Sequence, residues 1–307
     1  MTDAPTTTTD DVLSGVDLHG RTILVTGGTT GLGFETVRAL AAAGASVVTT
    51  ARSDDKGRDA CDRLRALVPG ADVSYELCEL GSLASVREFT DRFAASHDRL
   101  DVLIANAGIM AVPFGRTEDG FELQFGTNHL GHFVLVGRLV PLLLASAPSR
   151  VVLLSSGGHA GSDIVWDDIG FDSREYSKFE SYGQSKTANI LHAVELERRY
   201  GDRGVHAWSV HPGMVATDLG RHFTREDYAD LMKRAEASGS ELPPRVGPEV
   251  GASTQVWAAT SDDALGCAGG YLADCGPAEA RPYATDPEAA RRLWAVSEEL
   301  VGETFAD

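Results

Sequence analysis

The chain has 307 residues, 43% of them hydrophobic, and a formal net charge of −18. Such a length and apolar content can bury a substantial core, while the acidic balance would repel nucleic acid and anionic membrane surfaces and so excludes both as expected partners. Cys61, Cys78, Cys267 and Cys275 lack Cys-x-x-Cys spacing and read as reduced residues of a cytoplasmic protein.

Residues 1–12 are rich in Thr and Asp and carry no basic or apolar targeting region. They are expected to be a disordered tail, with residues 13–307 forming one domain. Residues 22–26, Thr-Ile-Leu-Val-Thr, are β-branched and apolar, as a buried parallel strand requires. The run leads directly into Gly27-Gly28-Thr29-Thr30-Gly31-Leu32-Gly33, and helical periodicity follows from Phe34 to Gly44. A glycine turn between a strand and a helix allows close backbone approach and offers a helix N-terminus to a pyrophosphate.

A second strand is expected over residues 45–50, its end beside the adenosine ribose of a bound dinucleotide. An acidic residue there would bind the ribose hydroxyls of NAD. This chain has Ala51 and then Arg52, with Lys56 one turn on, which suits the 2′-phosphate of NADP; the competing reading is a solvated charge beside Asp54 and Asp55. Helix 56–67, strand 73–77, helix 83–95 and strand 100–104 follow, the last closed by Asn106-Ala107-Gly108. Alternating strands and helices predict a doubly wound parallel sheet of Rossmann type, with ligands at the strand carboxyl ends.

Asn128 lies at the start of the next helix, within Gly-Thr-Asn-His-Leu-Gly-His-Phe. The apolar run 129–147 is interrupted by His132, Arg138 and Pro141 and is read as too polar to span a bilayer. His129 and His132 have the i, i+3 spacing of a helical ligand pair but no marked third ligand, so packing is expected and no metal. Strand 150–154 ends at Ser155-Ser156, and the irregular acidic segment 157–180 is placed to wall a pocket. Tyr182 and Lys186 then share a helical face, where the lysine charge is expected to lower the tyrosine pKa and make it an acid/base group. Strand 205–210 meets His211-Pro212-Gly213; His159 and His211 are read either as lining the site or as polar loop ends. Residues 218–248 read as a substrate lid, and helix 248–260, strand 270–272 and helix 286–300 complete the chain.

In their order, the glycine turn, Asn106-Ala107-Gly108, Ser156 and Tyr182-x-x-x-Lys186 resemble the short-chain dehydrogenase/reductase family from about Leu18 onward. The Asn128–Phe133 stretch and the Tyr182–Asn189 stretch look like the retinol-dehydrogenase-like branch and its bacterial relatives. The resemblance implies an NAD(P)-dependent oxidoreductase that interconverts an alcohol and an aldehyde or ketone of rather apolar character. Under it, Tyr182 handles the alcohol proton, Lys186 tunes Tyr182 and binds the nicotinamide ribose, Ser156 holds the carbonyl oxygen and Asn128 helps hold a relay water. Gly27, Thr29, Thr30, Gly31, Leu32, Gly33, Arg52, Glu79, Leu80, Asn106, Ala107, Gly108, Pro212, Gly213, Val215 and Thr217 are implied cofactor contacts. Glu79 departs from the Asp usual in the family at the adenine contact. A homodimer or homotetramer through the helices following Asn128 and Tyr182 is also implied. The alternatives are a lyase or epimerase that retains its cofactor, and a non-catalytic dinucleotide-binding protein.

Overall fold

The β-branched and apolar runs form the strands of one sheet because they are buried on both faces. In the computed structural model, which describes residues 6–215, 218–220, 223–227 and 244–305, these are β1 (Thr22–Val25), β2 (Ser46–Ala51), β3 (Val73–Leu77), β4 (Val102–Ala105), β5 (Ser149–Leu154), β6 (Val205–Val210), β7 (Tyr271–Ala273) and β8 (Gly276–Pro277). Their order is β3-β2-β1-β4-β5-β6-β7-β8, parallel except for the β7–β8 pair. The chain reverses its direction across the sheet between β1 and β4, so a crevice is expected at their carboxyl ends.

Successive residues on each strand face opposite layers. Ile23, Val25, Ile104 and Val152 pack into one core, and Leu24, Leu103, Val151 and Leu153 into the other. Each fully buried side chain of this kind is worth roughly 1.5–3 kcal/mol over leaving it exposed. Helices α1 (Thr9–Val12), α2 (Gly31–Ala42), α3 (Asp54–Leu67) and α4 (Leu83–Ser96) precede the long helix α5 (Leu123–Ala145), whose Gly126–Leu130 turn is a π-helix. Then come α6 (Lys178–Tyr200), α7 (Pro248–Gly251), α8 (Ser253–Thr260) and α9 (Pro287–Val301).

Two sequence expectations are corrected, and one element goes unread. Residues 8–12 are not a disordered tail. Thr8 and Asp11 form a reciprocal cap on α1, and the buried Thr9 hydroxyl donates to Glu35 Oε1 at 2.5 Å. The α5 helix is long and apolar enough to cross a membrane, with mean hydropathy 1.3, and is not too polar as expected; 72% of that window is buried inside the protein, which makes it a core helix. The two-residue strand β8 carries too little pattern to be read from the sequence.

Helix α9 lies against α5 and α6. Leu293 and Trp294 are buried there, and Phe305 packs so closely on Gly137 of α5 that a methyl group at Gly137 would stand 2.6 Å from its ring. At the β3 edge of the sheet, Val47 N–H bonds to Asp72 O, so alternation turns the carbonyls of Val73, Tyr75 and Leu77 outward. Arg65 donates to Val73 O at 2.7 Å and Arg92 to Leu77 O at 2.9 Å.

Candidate active site

The glycine turn is built so that only backbone lines it. Gly27 and Gly31 sit at φ 70° and 58°, in the left-handed region that side chains disfavour. A methyl group at Gly33 would fall 2.4 Å from Gly27 O and 2.5 Å from Asn106 Nδ2. Gly27 and Gly28 donate their N–H groups to Thr50 and Thr49 Oγ1 at 3.1 and 2.8 Å. The α2 N-cap, Thr30, makes no side-chain bond to the helix, so the first-turn N–H groups are left to an incoming anion. Thr29 and Leu32 flank this cradle, and the residues present fit a dinucleotide.

Asn106 supports the cradle from behind. Its Nδ2 donates to Thr26 O at 2.8 Å, while Ala107 N–H donates to Thr26 Oγ1 at 3.0 Å. Gly108 faces the other half of the site: a methyl group there would lie 3.3 Å from Asn128 Oδ1 and 3.6 Å from Lys186 Nζ. Arg52 is exposed at the end of β2. It makes no ion pair among the described residues, and Asp54 accepts the Tyr75 hydroxyl at 3.2 Å, an arrangement common to a solvated charge and to a phosphate site awaiting its anion. The Glu79 carboxylate turns back to accept Gly81 N–H at 3.1 Å, and Leu80 is buried.

The two serines at the end of β5 separate in function. Ser155 is buried and donates to Lys186 O at 2.8 Å, an internal tie. Ser156 caps the turn that follows, accepting Gly158 N–H at 3.0 Å, and its hydroxyl and the Tyr182 ring converge over Gly158. The Tyr182 ring covers Gly158, where a methyl group would stand 3.0 Å from Cε1. Lys186 Nζ donates to Leu154 O at 2.9 Å and lies 5.6 Å from the Tyr182 ring centroid.

The electrostatics differ from the sequence expectation. Burial pushes the Tyr182 phenol up to about 12, with the Ser156 hydroxyl acting in the opposite direction, rather than the lysine drawing it toward neutrality. The same burial pushes Lys186 down to about 8. Desolvation wins because both side chains are enclosed by protein. Tyr182 is therefore held as the neutral phenol.

Asn128 is wholly buried, and its side chain is fully engaged: Oδ1 accepts Ile109 N–H at 2.9 Å, and Nδ2 donates to Ile109 O and Ser185 Oγ, both at 3.0 Å. Ser185 donates in turn to Tyr182 O at 2.8 Å. The sequence reading missed Ser185, which joins Asn128 to the Tyr182–Lys186 helix, because a small polar residue in a helix carries no signal of its own. His159 and His211 both brace the Ser156 turn. His159 Nδ1 donates to Ser156 O at 2.8 Å, and Gly157 N–H donates to His211 Nδ1 at 3.1 Å.

On the far side, Pro212 and Gly213 follow β6, with Gly213 at φ 77°. Val215 pairs with Val246 and meets Leu32 over Gly251, which fixes both roots of the expected lid; Thr217 lies outside the described residues. Part of the lid is tied to the head of α6, through Lys178 Nζ to Asp227 Oδ2 at 2.7 Å and Phe179 against Phe223 at 5.5 Å. A cavity of about 430 Å³ lies there, lined by residues 175–180 and Asp227 but not by Tyr182.

The model of the short chain dehydrogenase family matches residues 21–227. Human retinol dehydrogenase 14 is 40% identical over 298 residues, covering 93% of this chain and 87% of that protein. The crystal structure of an uncharacterized protein from Mycobacterium paratuberculosis is 33% identical, with a TM-score of 0.76, and covers 95% of this chain and 97% of that one. RhlG from Pseudomonas aeruginosa, solved as an NADP active-site complex, is 25% identical with a TM-score of 0.65, covering 83% and 95%.

Proposed function

The chain belongs to the short-chain dehydrogenase/reductase family and is an NAD(P)-dependent oxidoreductase acting on alcohol and carbonyl groups; from that premise we propose that Tyr182 is its acid/base, that NADP is the preferred cofactor and that the substrate is apolar. What carries the reading is the buried phenol of Tyr182, with the Ser156 hydroxyl converging on the same turn and Lys186 Nζ 5.6 Å from its ring. The name of the human relative, retinol dehydrogenase 14, denotes an apolar alcohol, which supports the substrate class.

When bound, the nicotinamide supplies or takes up the hydride. In reduction, the Tyr182 phenol gives its proton to the substrate carbonyl oxygen, and the Ser156 hydroxyl donates a hydrogen bond to that same oxygen. Both donors are fixed before reaction, so charge developing on the oxygen meets oriented dipoles at little reorganisation cost. Lys186, positively charged below its pKa of about 8, favours the phenolate left on Tyr182. Oxidation runs the same proton path in reverse. Asn128 acts by holding the 109 backbone and Ser185 in register with this pair.

For the cofactor, Arg52 is exposed and without an ion pair among the described residues, which leaves it available to a 2′-phosphate. Arg52→Ala is expected to weaken NADPH binding roughly tenfold to a hundredfold and NADH binding much less. Titrations of both nucleotides against wild type and variant, alongside absorbance assays with a panel of apolar aldehydes, ketones and alcohols, check this. Equal losses for the two nucleotides would refute the phosphate assignment, and no turnover across the panel would refute the substrate class.

We also propose a cytoplasmic location, which recovery of the protein in the membrane pellet after cell fractionation would overturn. Because α9 covers the adjoining face of α5 and α6, a homodimer or homotetramer would have to include α9 in its contact or use another surface. Sedimentation of the intact chain measures that state.

A further inference from the structure

The wholly buried His132 ring reaches from its own helix to Thr26, 106 positions away in sequence, and so ties two parts of the site together. Its Nδ1 is 3.0 Å from Asn128 O, and its Nε2 is 2.9 Å from Thr26 Oγ1. A carbonyl only accepts, so Nδ1 must carry the proton. The ring is neutral, because burial and the nearby Lys186 charge both disfavour imidazolium and push its pKa down to about 4. Nε2 therefore accepts, and the Thr26 hydroxyl donates to it. That hydroxyl oxygen in turn accepts Ala107 N–H. Every polar atom in the chain from Ala107 to Asn128 has one role.

The location of this bridge gives it consequence. Asn128 occupies the Gly126–Leu130 π-turn, where the Gly131 N–H bonds to Gly126 O, five residues back. Such single widened turns inside α-helices occur frequently at functional sites. The Asn128 side chain leads through Ser185 to the carbonyl of Tyr182, and Asn128 Oδ1 and Lys186 Nζ approach Gly108 together. At the other end, Thr26 adjoins the glycine turn, and its carbonyl holds Asn106.

We propose that His132 is a positioning residue: as the neutral Nδ1–H tautomer it clamps the Asn128 main-chain carbonyl and takes the Thr26 hydroxyl, holding the widened turn that places Tyr182 and Lys186 against the glycine cradle. It acts through Asn128 and contacts no reacting atom. The proposal rests on the assignment of Tyr182 and Lys186 as the proton-transfer pair.

The test begins with the full-length protein labelled with 15N-histidine. The His132 ring is expected to show the Nδ1–H tautomer and to stay neutral from pH 8 down to about pH 5; an Nε2–H tautomer would overturn the assignment without any activity measurement. In kinetics, His132→Phe keeps a ring but loses both bonds. It is expected to lower kcat about tenfold, with the dinucleotide dissociation constant changed less than about threefold. His132→Asn, whose amide can replace Nδ1, is expected to regain most of the loss, and Thr26→Val to reproduce part of it. Equal kcat in His132→Phe and wild type, or equal losses in the Phe and Asn variants, would reduce His132 to packing. Should His132→Phe fail to fold, the Asn and Val variants decide the matter by the same comparison. If Tyr182→Phe abolishes turnover while the His132 variants match wild type, this inference alone fails; if Tyr182→Phe leaves turnover intact, the proton-transfer assignment fails.

Discussion

Tyr182→Phe is expected to lower kcat by about 10³-fold in both reaction directions, with nucleotide binding nearly unchanged. The substitution removes one oxygen and keeps the ring that covers Gly158, so the loss reports proton transfer rather than packing. Because burial holds the phenol up to about 12, the protonated donor dominates at neutral pH. Alcohol oxidation, which needs the phenolate, is accordingly expected to quicken as pH rises from 6 to 7.5, where Lys186 keeps its charge, while carbonyl reduction gains nothing from the rise. Stopped-flow absorbance in the two directions measures both effects. A variant within threefold of wild type, or an oxidation rate that falls over that range, would remove Tyr182 from the acid/base role.

The second large effect lies away from the chemistry. Trp294→Ala is expected to destabilise the fold by about 3–5 kcal/mol, lowering the melting temperature by on the order of 10 °C. The indole is 2% exposed, stands edge-on to Phe133 at 5.0 Å and lies near His192 and Tyr200 at 5.8 and 6.4 Å, with the Arg199 guanidinium 4.3 Å from the ring centre. Its Nε1 has no hydrogen-bond partner in the described structure. The loss is therefore packing, and Trp294→Phe is expected to recover more than half of it. Apart from Phe133 on α5, these contacts fall on the C-terminal half of α6, away from Tyr182 and Lys186, so kcat per folded molecule should hold near wild type while denaturant midpoints drop. A midpoint shift corresponding to less than about 1 kcal/mol would mean that α9 contributes little to the core beneath it.

Much of the fold was legible because its signals are local. The β-branched runs at 22–25 and 205–210, the glycine turn between a strand and a helix, and the Tyr182–Lys186 spacing can each be read from a window of a few residues. What stayed hidden depends on distant partners. The π-turn at Asn128 has the same apolar content as an ordinary helical turn, and the His132 bridge needs Thr26 from the turn after β1. Thr9 looked like part of a polar tail until Glu35 stood beside it. The Tyr182 shift was misjudged in direction because spacing shows that a lysine is near, whereas only the enclosed structure shows how completely both groups leave water. Asn106 is a related case: its motif reads as a cofactor contact, whereas its amide is turned to the carbonyls of Thr26 and Gly27.

The arginines along β3 bear on how this molecule behaves in a crowd. A sheet edge with free outward carbonyls is a template on which a neighbouring chain can lay a strand, the first step toward fibrils or amorphous aggregates. Here Arg65 and Arg92 already hold two of the three outward carbonyls of β3, and at the other edge β8 is two residues long and ends in Pro277, which has no amide hydrogen to offer. Recruitment of strands is thus blunted at both ends of the sheet, so concentrated solutions should fail first by unfolding of the core and not by edge-to-edge growth of the native form.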